Sequence, residues 1–250
     1  MNLIYYTLGN NLEYLNILNL NILTLENYYN NNFELLFIVD EKFKDSFESN
    51  LLTKIPYNIF FTEVLSMNDS SINKLKVFKY DKLEIYDKII YCDCDILWCD
   101  DPNKIFTLIN EDKILVSNET HHHELMTHPY WSSNLLTDDE VSKIHYIQLQ
   151  GFNAGFFAFS SKSIEIIENI FKFYLDNINS MNECIEQPYF NVYLFRNNLF
   201  DLNLTKIVNH NGYNADKING ETIIHFAGGP GIYSGKMDKM ILFYEKNIKK

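Results

Sequence analysis

Ile89-Ile90-Tyr91-Cys92-Asp93-Cys94-Asp95-Ile96-Leu97-Trp98 is the stretch on which the reading of this chain turns. It begins with the β-branched and aromatic residues of a strand buried in a sheet, and that strand ends on two acids one residue apart. Side chains of a strand alternate between its faces, so Asp93 and Asp95 are expected to point the same way. Two carboxylates aimed together from a core strand repel each other and resist desolvation unless a cation compensates them. A divalent metal ion is the economical compensation, and hard oxygen donors suit Mg²⁺ or Mn²⁺.

Outward from this strand the chain alternates between apolar runs and helical patterns. Leu3 to Thr7 reads as a strand, joined through a turn at Gly9-Asn10-Asn11 to a helix whose Leu12, Leu15, Leu18, Ile22 and Leu25 recur every three or four positions. Leu35 to Val39, ending at Asp40, has the signature of a strand covered on both faces, and Ile55 to Phe61 is a third candidate. Ile72, Leu75 and Phe78 mark a helix entered through Asp69-Ser70-Ser71, any of which could cap it. Beyond the acids, Pro102 opens a short helix through Phe106 and Ile109, and Ile114 to Val116 is another buried strand. Residues 118–137 are polar, aromatic and aperiodic, and are expected to run over the surface. Phe156 to Phe159 resumes the sheet, followed by a helix with Ile164, Ile167, Phe171, Tyr174 and Ile178 on one face. A helix from Glu186 to Arg196 and two short strands, Leu204 to Val208 and Thr222 to Phe226, complete the pattern. Such alternation predicts an α/β fold, one Rossmann-like domain over residues 1–250 with a mostly parallel central sheet flanked by helices. Ligands of such sheets sit at the carboxyl ends of strands, where Asp93 and Asp95 fall.

The formal net charge is −12, from 21 Lys+Arg against 33 Asp+Glu, so neither nucleic acid nor an anionic membrane is an expected partner. No apolar run reaches membrane-spanning length, and Met1 to Asn10 lacks a basic segment followed by an apolar core, so no integral membrane segment and a cytoplasmic location are expected. Cys92, Cys94, Cys99 and Cys184 lack zinc spacing and read as buried, reduced thiols. Consecutive histidines cannot all face one ion, so His121-His122-His123 with His128 reads as an exposed loop. With Tyr130 and Trp131, that excursion is expected to form a binding surface, since flat aromatic rings pack on the faces of ligands. Homo-oligomerisation stays open.

Five segments, Lys74-Leu75-Lys76, Tyr91 to Asp95, Phe152-Asn153-Ala154-Gly155, Glu186-Gln187 and His225-Phe226-Ala227-Gly228, follow in an order that resembles one family. That family is glycosyltransferase family 8, the glycogenin-like and lipopolysaccharide galactosyltransferase-like retaining enzymes of the GT-A fold. Tyr91 to Asp95 resembles its Asp-x-Asp motif, and Lys74 lies where it has a basic residue facing the donor. Phe152 to Gly155 resembles its Phe-Asn-Ser-Gly, Glu186-Gln187 its Asp-Gln, and His225 to Gly228 the start of its His-x-x-Gly-x-x-Lys. An Asp-x-Asp alone arises by chance in many proteins, whereas five motifs in the family's order are specific.

The resemblance implies a metal-dependent, retaining transferase that moves a hexose from a UDP-sugar, UDP-glucose or UDP-galactose, to a glycan or protein acceptor. Mn²⁺ is the implied cofactor, with Mg²⁺ as the alternative. The nucleotide would occupy the half up to about residue 100, and the acceptor the remainder. Asp93 would touch the donor ribose and the metal, Asp95 would chelate the metal and His225 would be the third ligand. Thr7, Leu8, Asn11 and Tyr14 would receive the base, with the Tyr14 ring stacked on uracil. Lys74, Cys94, Ala154 and Gly228 would also belong to the donor site. Asn153 and Gln187 would hold sugar hydroxyls beside Glu186, whose carboxylate would act as nucleophile or stabilise oxocarbenium charge. The chain departs from the pattern at Gly231, where the family has a phosphate-gripping Lys. Either Lys236, reaching in from a longer loop, or the backbone N–H groups of Gly228-Gly229-Pro230-Gly231 would take that role.

Two other readings compete. A haloacid-dehalogenase-like phosphohydrolase also carries Asp-x-Asp at a strand end, but that strand normally opens the chain, and here three candidate strands precede it. A nucleotide-sugar- or glycan-binding module that keeps the fold without turnover draws its support from the missing Lys.

Overall fold

Runs that are apolar at every position can only be satisfied between two layers, and that is where the chain puts them. The computed structural model describes residues 1–119, 124–132, 134–178, 185–228 and 233–249, the last segment without the side chains of residues 233 and 234. Strand β1 (Asn2–Leu8) leads through α1 (Tyr14–Glu26) to β2 (Phe33–Asp40), and α2 (Lys44–Asn50) leads on to β3 (Tyr57–Thr62). Helix α3 (Met67–Ile72) and a 3₁₀ segment (Asn73–Lys79) precede β4 (Lys88–Cys92), and β5 (Ile96–Trp98), α4 (Asn103–Phe106) and β6 (Ile114–Leu115) follow it. Next come α5 (Pro129–Ser132), α6 (Asp138–Ile147), β7 (Phe156–Ser160), α7 (Ile164–Asn177) and α8 (Gln187–Arg196). The chain finishes with β8 (Phe200–Asp201), β9 (Val208–Asn209), β10 (Ile223–His225) and α9 (Tyr233–Asn247).

Among the described residues, seven strands form one sheet in the order β3-β2-β1-β4-β7-β6-β8. Its pairings are parallel except for those of β7, which runs antiparallel to both β4 and β6. Alternate residues of β1 serve opposite faces. Ile4, Tyr6 and Leu8 join Leu18, Ile22 and Leu25 of α1, whereas Leu3 and Tyr5 join Ile167 and Ile170 of α7 and Phe190 and Leu194 of α8. Each such side chain taken from water into the core contributes about 1.5–3 kcal/mol before chain entropy is subtracted. Among the described residues no helix is long and apolar enough to cross a membrane.

A second sheet of three strands, β5-β10-β9, stands apart from the first. It was not expected, because Ile96-Leu97-Trp98 does not read as a strand of its own once the strand before it ends on the acids. The chain instead turns at 93–95 and changes sheets. The predicted helix through Ile72, Leu75 and Phe78 becomes the end of α3 and the 3₁₀ segment. Its apolar residues recur every three positions, which is the 3₁₀ period. Ser66, not Asp69 to Ser71, caps α3 by accepting from the Asp69 amide. The predicted strand Leu204 to Val208 is a 3₁₀ turn (Asn203–Lys206) ahead of the two-residue β9. On α7 the buried face is Ile167, Ile170 and Tyr174, and Ile178 is exposed. Helices α2, α5, α6 and α9 and strand β8 were not anticipated, although α6 announces itself by the Thr137-x-x-Glu140 capping box. Cys92 and Cys94 are buried free thiols, Cys99 is a partly buried one, and Cys184 lies outside the described residues.

The surface excursion is also corrected. Trp131 is buried against Gly151, where a Cβ would overlap its ring, so the indole is part of the core and not an exposed sugar platform. Tyr130 is half-buried and His128 exposed, and His121 to His123 lie outside the described residues.

Arg196, at the end of α8, ties that helix to α6. Its Nε and one terminal nitrogen donate to Glu140 Oε1 and Oε2 at 2.7 and 2.9 Å. The hydrogen bond from Arg196 pulls the Glu140 carboxyl down from an ordinary 4.5 to about 2. Because the folded value lies below the unfolded one, the stabilisation is complete above about pH 4.5 and disappears as pH falls toward 2. Glu140→Gln is therefore expected to lower stability by about 1 kcal/mol at pH 7, with the difference nearly gone at pH 2, as measured by urea unfolding at both values.

Candidate functional site

The two acids sit in the turn where the chain passes from one sheet to the other. β4 pairs with β7 so that Cys92 lies opposite Phe156, and the next bond of that ladder runs from the Asp93 amide to the Gly155 carbonyl at 2.8 Å. After Cys94 and Asp95 the chain enters β5, which pairs antiparallel with β10 so that Ile96 lies opposite His225. The Phe226 amide then donates to the Asp95 carbonyl at 2.9 Å. Asp93 is thus anchored to the large sheet, and Asp95 to the small one beside His225. One ligand atom each from Asp93, Asp95 and His225 lies within 4.8 Å of the others, and His225 Nε2 is 3.2 Å from Asp95 Oδ1. Strand alternation was the expected reason for the acids' convergence. Turn geometry and the register of β5 on β10 are the actual one.

Asn21, fully buried on α1, clamps this turn. Its Nδ2 donates to the carbonyls of Asp93 and Cys94 at 3.2 and 3.3 Å, while its Oδ1 accepts from Tyr6 Oη and Trp98 Nε1 at 3.0 and 3.1 Å. Gly155 keeps the floor open. A Cβ there would stand 2.6 Å from His225 Cε1 and 2.9 Å from Asn153 Oδ1, and closer still to the Asp93 carboxylate.

Two lysines meet the negative charge. Lys74, 5 % exposed on the 3₁₀ segment, places Nζ 2.8 Å from Glu186 Oε1, 3.2 Å from the Ala154 carbonyl and 3.7 Å from Asp93 Oδ1. The same ammonium lies 4.9 Å from the centre of the Tyr91 ring, whose hydroxyl donates to Asp93 and sits 3.2 Å from Thr7 Oγ1. Lys236 donates to Asp95 Oδ2. Burial pushes the Asp93 carboxyl up, Lys74 pulls it back, Asp95 adds repulsion, and the net result is upward. Burial also acts upward on Asp95, but Lys236 and His225 overcome it and hold that carboxyl well below the usual range. Burial disfavours the charge on both lysines, yet the facing carboxylates raise both. Asp93, Asp95 and Glu186 set three carboxylates against these two ammoniums, an excess of one carboxylate. Two hard oxygen donors and an imidazole around that excess suit a divalent cation.

A cleft opens over this cluster, lined by Thr7, Leu8, Asn11, Tyr14, Ser70, Lys74, Tyr91, Asp93, Cys94, Asp95 and Glu186. Asn153, Ala154 and Gln187 form the layer beneath. Asn153 Nδ2 donates to Glu119 Oε2 and its Oδ1 accepts from the Gly155 amide, both at 2.8 Å, while the Ala154 amide donates to Gln187 Oε1 at 3.0 Å. Gln187 opens α8, with Pro188 in the first turn and Glu186 at the N-cap position. His225 and Lys236 approach from the Asp95 side. Lys236 reaches in from helix α9, not from a loop. Gly228 is exposed at φ +72°, its carbonyl accepting from Tyr213 Oη at 3.4 Å, and Gly231 lies outside the described residues. Sequence reading missed Asn21, Tyr91 and Glu119 as site residues. Of these Asn21 left a trace, being an amide inside the apolar helix face of Leu18, Ile22 and Leu25.

Asn21→Leu keeps the side-chain volume and strips partners from two carbonyls, a phenol and an indole at once. Each unmet buried group costs about 1–3 kcal/mol, so a loss of about 3 kcal/mol or more is expected in urea unfolding.

The profile of glycosyl transferase family 8 matches residues 10–230. A search of curated protein sequences returns no match. Similar solved structures include the galactosyltransferase LgtC in complex with donor and acceptor sugar analogues, at 14 % identity over 97 % of this chain and 95 % of that one, with a TM-score of 0.62. Mouse xyloside xylosyltransferase 1 in its apo form is 11 % identical over 91 % of this chain and 98 % of its own, with a TM-score of 0.58. The bifunctional glycosyltransferase WbbM, also apo, is 12 % identical over all of this chain and has a TM-score of 0.63; the chain spans 52 % of its length. With the profile running across most of its length and the GT-A sheet carrying the Asp-x-Asp turn at its centre, the chain belongs to glycosyltransferase family 8.

Proposed function

We propose that this glycosyltransferase moves a hexose with retention from UDP-glucose or UDP-galactose to a glycan or glycosylated-protein acceptor, with Mn²⁺ held by Asp93, Asp95 and His225. The observation that carries the reading is the meeting of those three side chains at the edge of a cleft that also presents Tyr14, Thr7 and Asn11. Tyr14 offers a flat ring to uracil, and the short polar side chains of Thr7 and Asn11 suit its edge. A divalent ion bound there would supply Lewis-acid stabilisation of the departing diphosphate. Lys74 and Lys236 bring positive charge to the same place, Lys236 standing in for the Lys that the family has where this chain has Gly231. Lys74 also holds Glu186 in place at the cleft wall, where its carboxylate would attack the anomeric carbon or stabilise positive charge developing on the sugar. Asn153 and Gln187 would orient sugar hydroxyls from beneath. A binding module without turnover is favoured by one observation, the ammonium of Lys236 already seated on Asp95.

The purified chain incubated with a panel of nucleotide sugars and Mn²⁺ is expected to release UDP from one UDP-hexose. Release should stop with chelator and fall at least about 100-fold in Asp95→Ala, in line with the electrostatic stabilisation such groups supply. Tight UDP binding without release from any donor would favour the binding module, and equal UDP binding by wild type and a folded Asp95→Ala would remove the metal site.

A further inference from the structure

His225 offers Nε2 to the acids, and its other ring nitrogen is not idle. β9 runs parallel to β10 with Asn209 beside Ile224, so the next residue, His210, falls beside His225. His210 Nδ1 lies 3.0 Å from His225 Nδ1, and His210 Nε2 lies 2.6 Å from Ser117 Oγ. The three residues are 1 %, 2 % and 0 % exposed for His210, His225 and Ser117, and the two rings meet edge to face at 68°. Ser117 lies two residues beyond β6, and its carbonyl accepts the Asn153 amide at 3.1 Å, so the row leads from the acids back to the layer beneath the cleft.

Two Nδ1 atoms at hydrogen-bond distance cannot both carry a proton or both lack one in a satisfied pair. A neutral imidazole that gives its Nε2 lone pair to a cation must carry its proton on Nδ1. His225 Nδ1–H then donates to His210 Nδ1, which places the His210 proton on Nε2 and makes Ser117 Oγ its acceptor. No proton is gained or lost by the pair in adopting this arrangement; each ring keeps one. Outer partners of this kind set the tautomer and orientation of a ligating histidine and typically govern its metal affinity by 10–100-fold.

We propose that His210 and Ser117 are positioning residues for His225, holding it as the Nδ1–H tautomer with Nε2 aimed between Asp93 and Asp95. The proposal rests on the metal site put forward above. Its test is therefore read in two ways, as Mn²⁺ affinity by titration calorimetry and as the ¹⁵N shifts of the His225 ring, with and without diamagnetic Mg²⁺. His210→Phe removes the acceptor at similar size and is expected to weaken Mn²⁺ binding 10–100-fold and to shift His225 away from the Nδ1–H form in Mg²⁺. His210→Gln, whose Oε1 can accept the same hydrogen bond, should recover part of the affinity. Ser117→Ala, a small change at a packed site, should weaken binding a few-fold and serves if His210→Phe does not fold. Unchanged Mn²⁺ affinity in the folded variants, or unchanged His225 ring shifts, overturns the proposal. A wild type that binds no Mn²⁺ defeats the metal site instead, and the relay then stands or falls on whether His210→Phe moves the His225 shifts of the metal-free protein.

Discussion

Everything around the cleft depends on holding Asp93 and Asp95 close together and mostly out of water. Like charges in a low-dielectric setting separate, neutralise or find cations, and the fold prevents separation by anchoring each acid to a different sheet. Asn21 then holds the carbonyls of the turn, so the backbone cannot relax away from the repulsion. The lysines supply the compensation, each reaching in from a different part of the chain. A carboxylate pair stabilised this way contributes less to folding than an apolar replacement could, which is the pattern of a site kept for its chemistry.

The same arrangement explains why the second sheet exists. Its three short strands bury Leu97, Trp98, Ile223 and Ile224 in the core, and they also bring His225 against Asp95 with His210 behind it. The large sheet carries the complementary half. β7, antiparallel beside β4, leads from Gly155 next to Asp93, and the segment before it places Asn153 and Ala154 under the cleft beside the first turn of α8. Close approach at this seam requires the missing side chain of Gly155.

The alternation of Leu3 to Thr7, Leu35 to Val39 and Ile89 to Cys92 was legible because both faces of these strands are buried and local composition reports it directly. The five motifs were legible as residue types in order. The switch of sheets after Asp95 was not, since Ile96-Leu97-Trp98 has the same composition as the strand before it and only its partner, β10, distinguishes the two. Trp131 was misread as exposed for a related reason, because its burial depends on Gly151, a residue without a side chain on the neighbouring segment. Helix α9 has a weak apolar pattern and a start beside the Gly-rich stretch, which hid both the helix and the direction from which Lys236 arrives.

By itself the sequence determined the strand and helix periods, the acids at a strand's end, and the set of residue types suited to a diphosphate and a divalent cation. Those properties are local and survive in any conformation of the chain. Only the tertiary structure decided that Asp95 faces His225 and Lys236, that Lys74 is shared between Asp93 and Glu186, and that His210 and Ser117 stand behind the imidazole. Those choices were set by strand register and by burial among segments far apart in the chain, and neither leaves a mark on the residues until the sheets have formed.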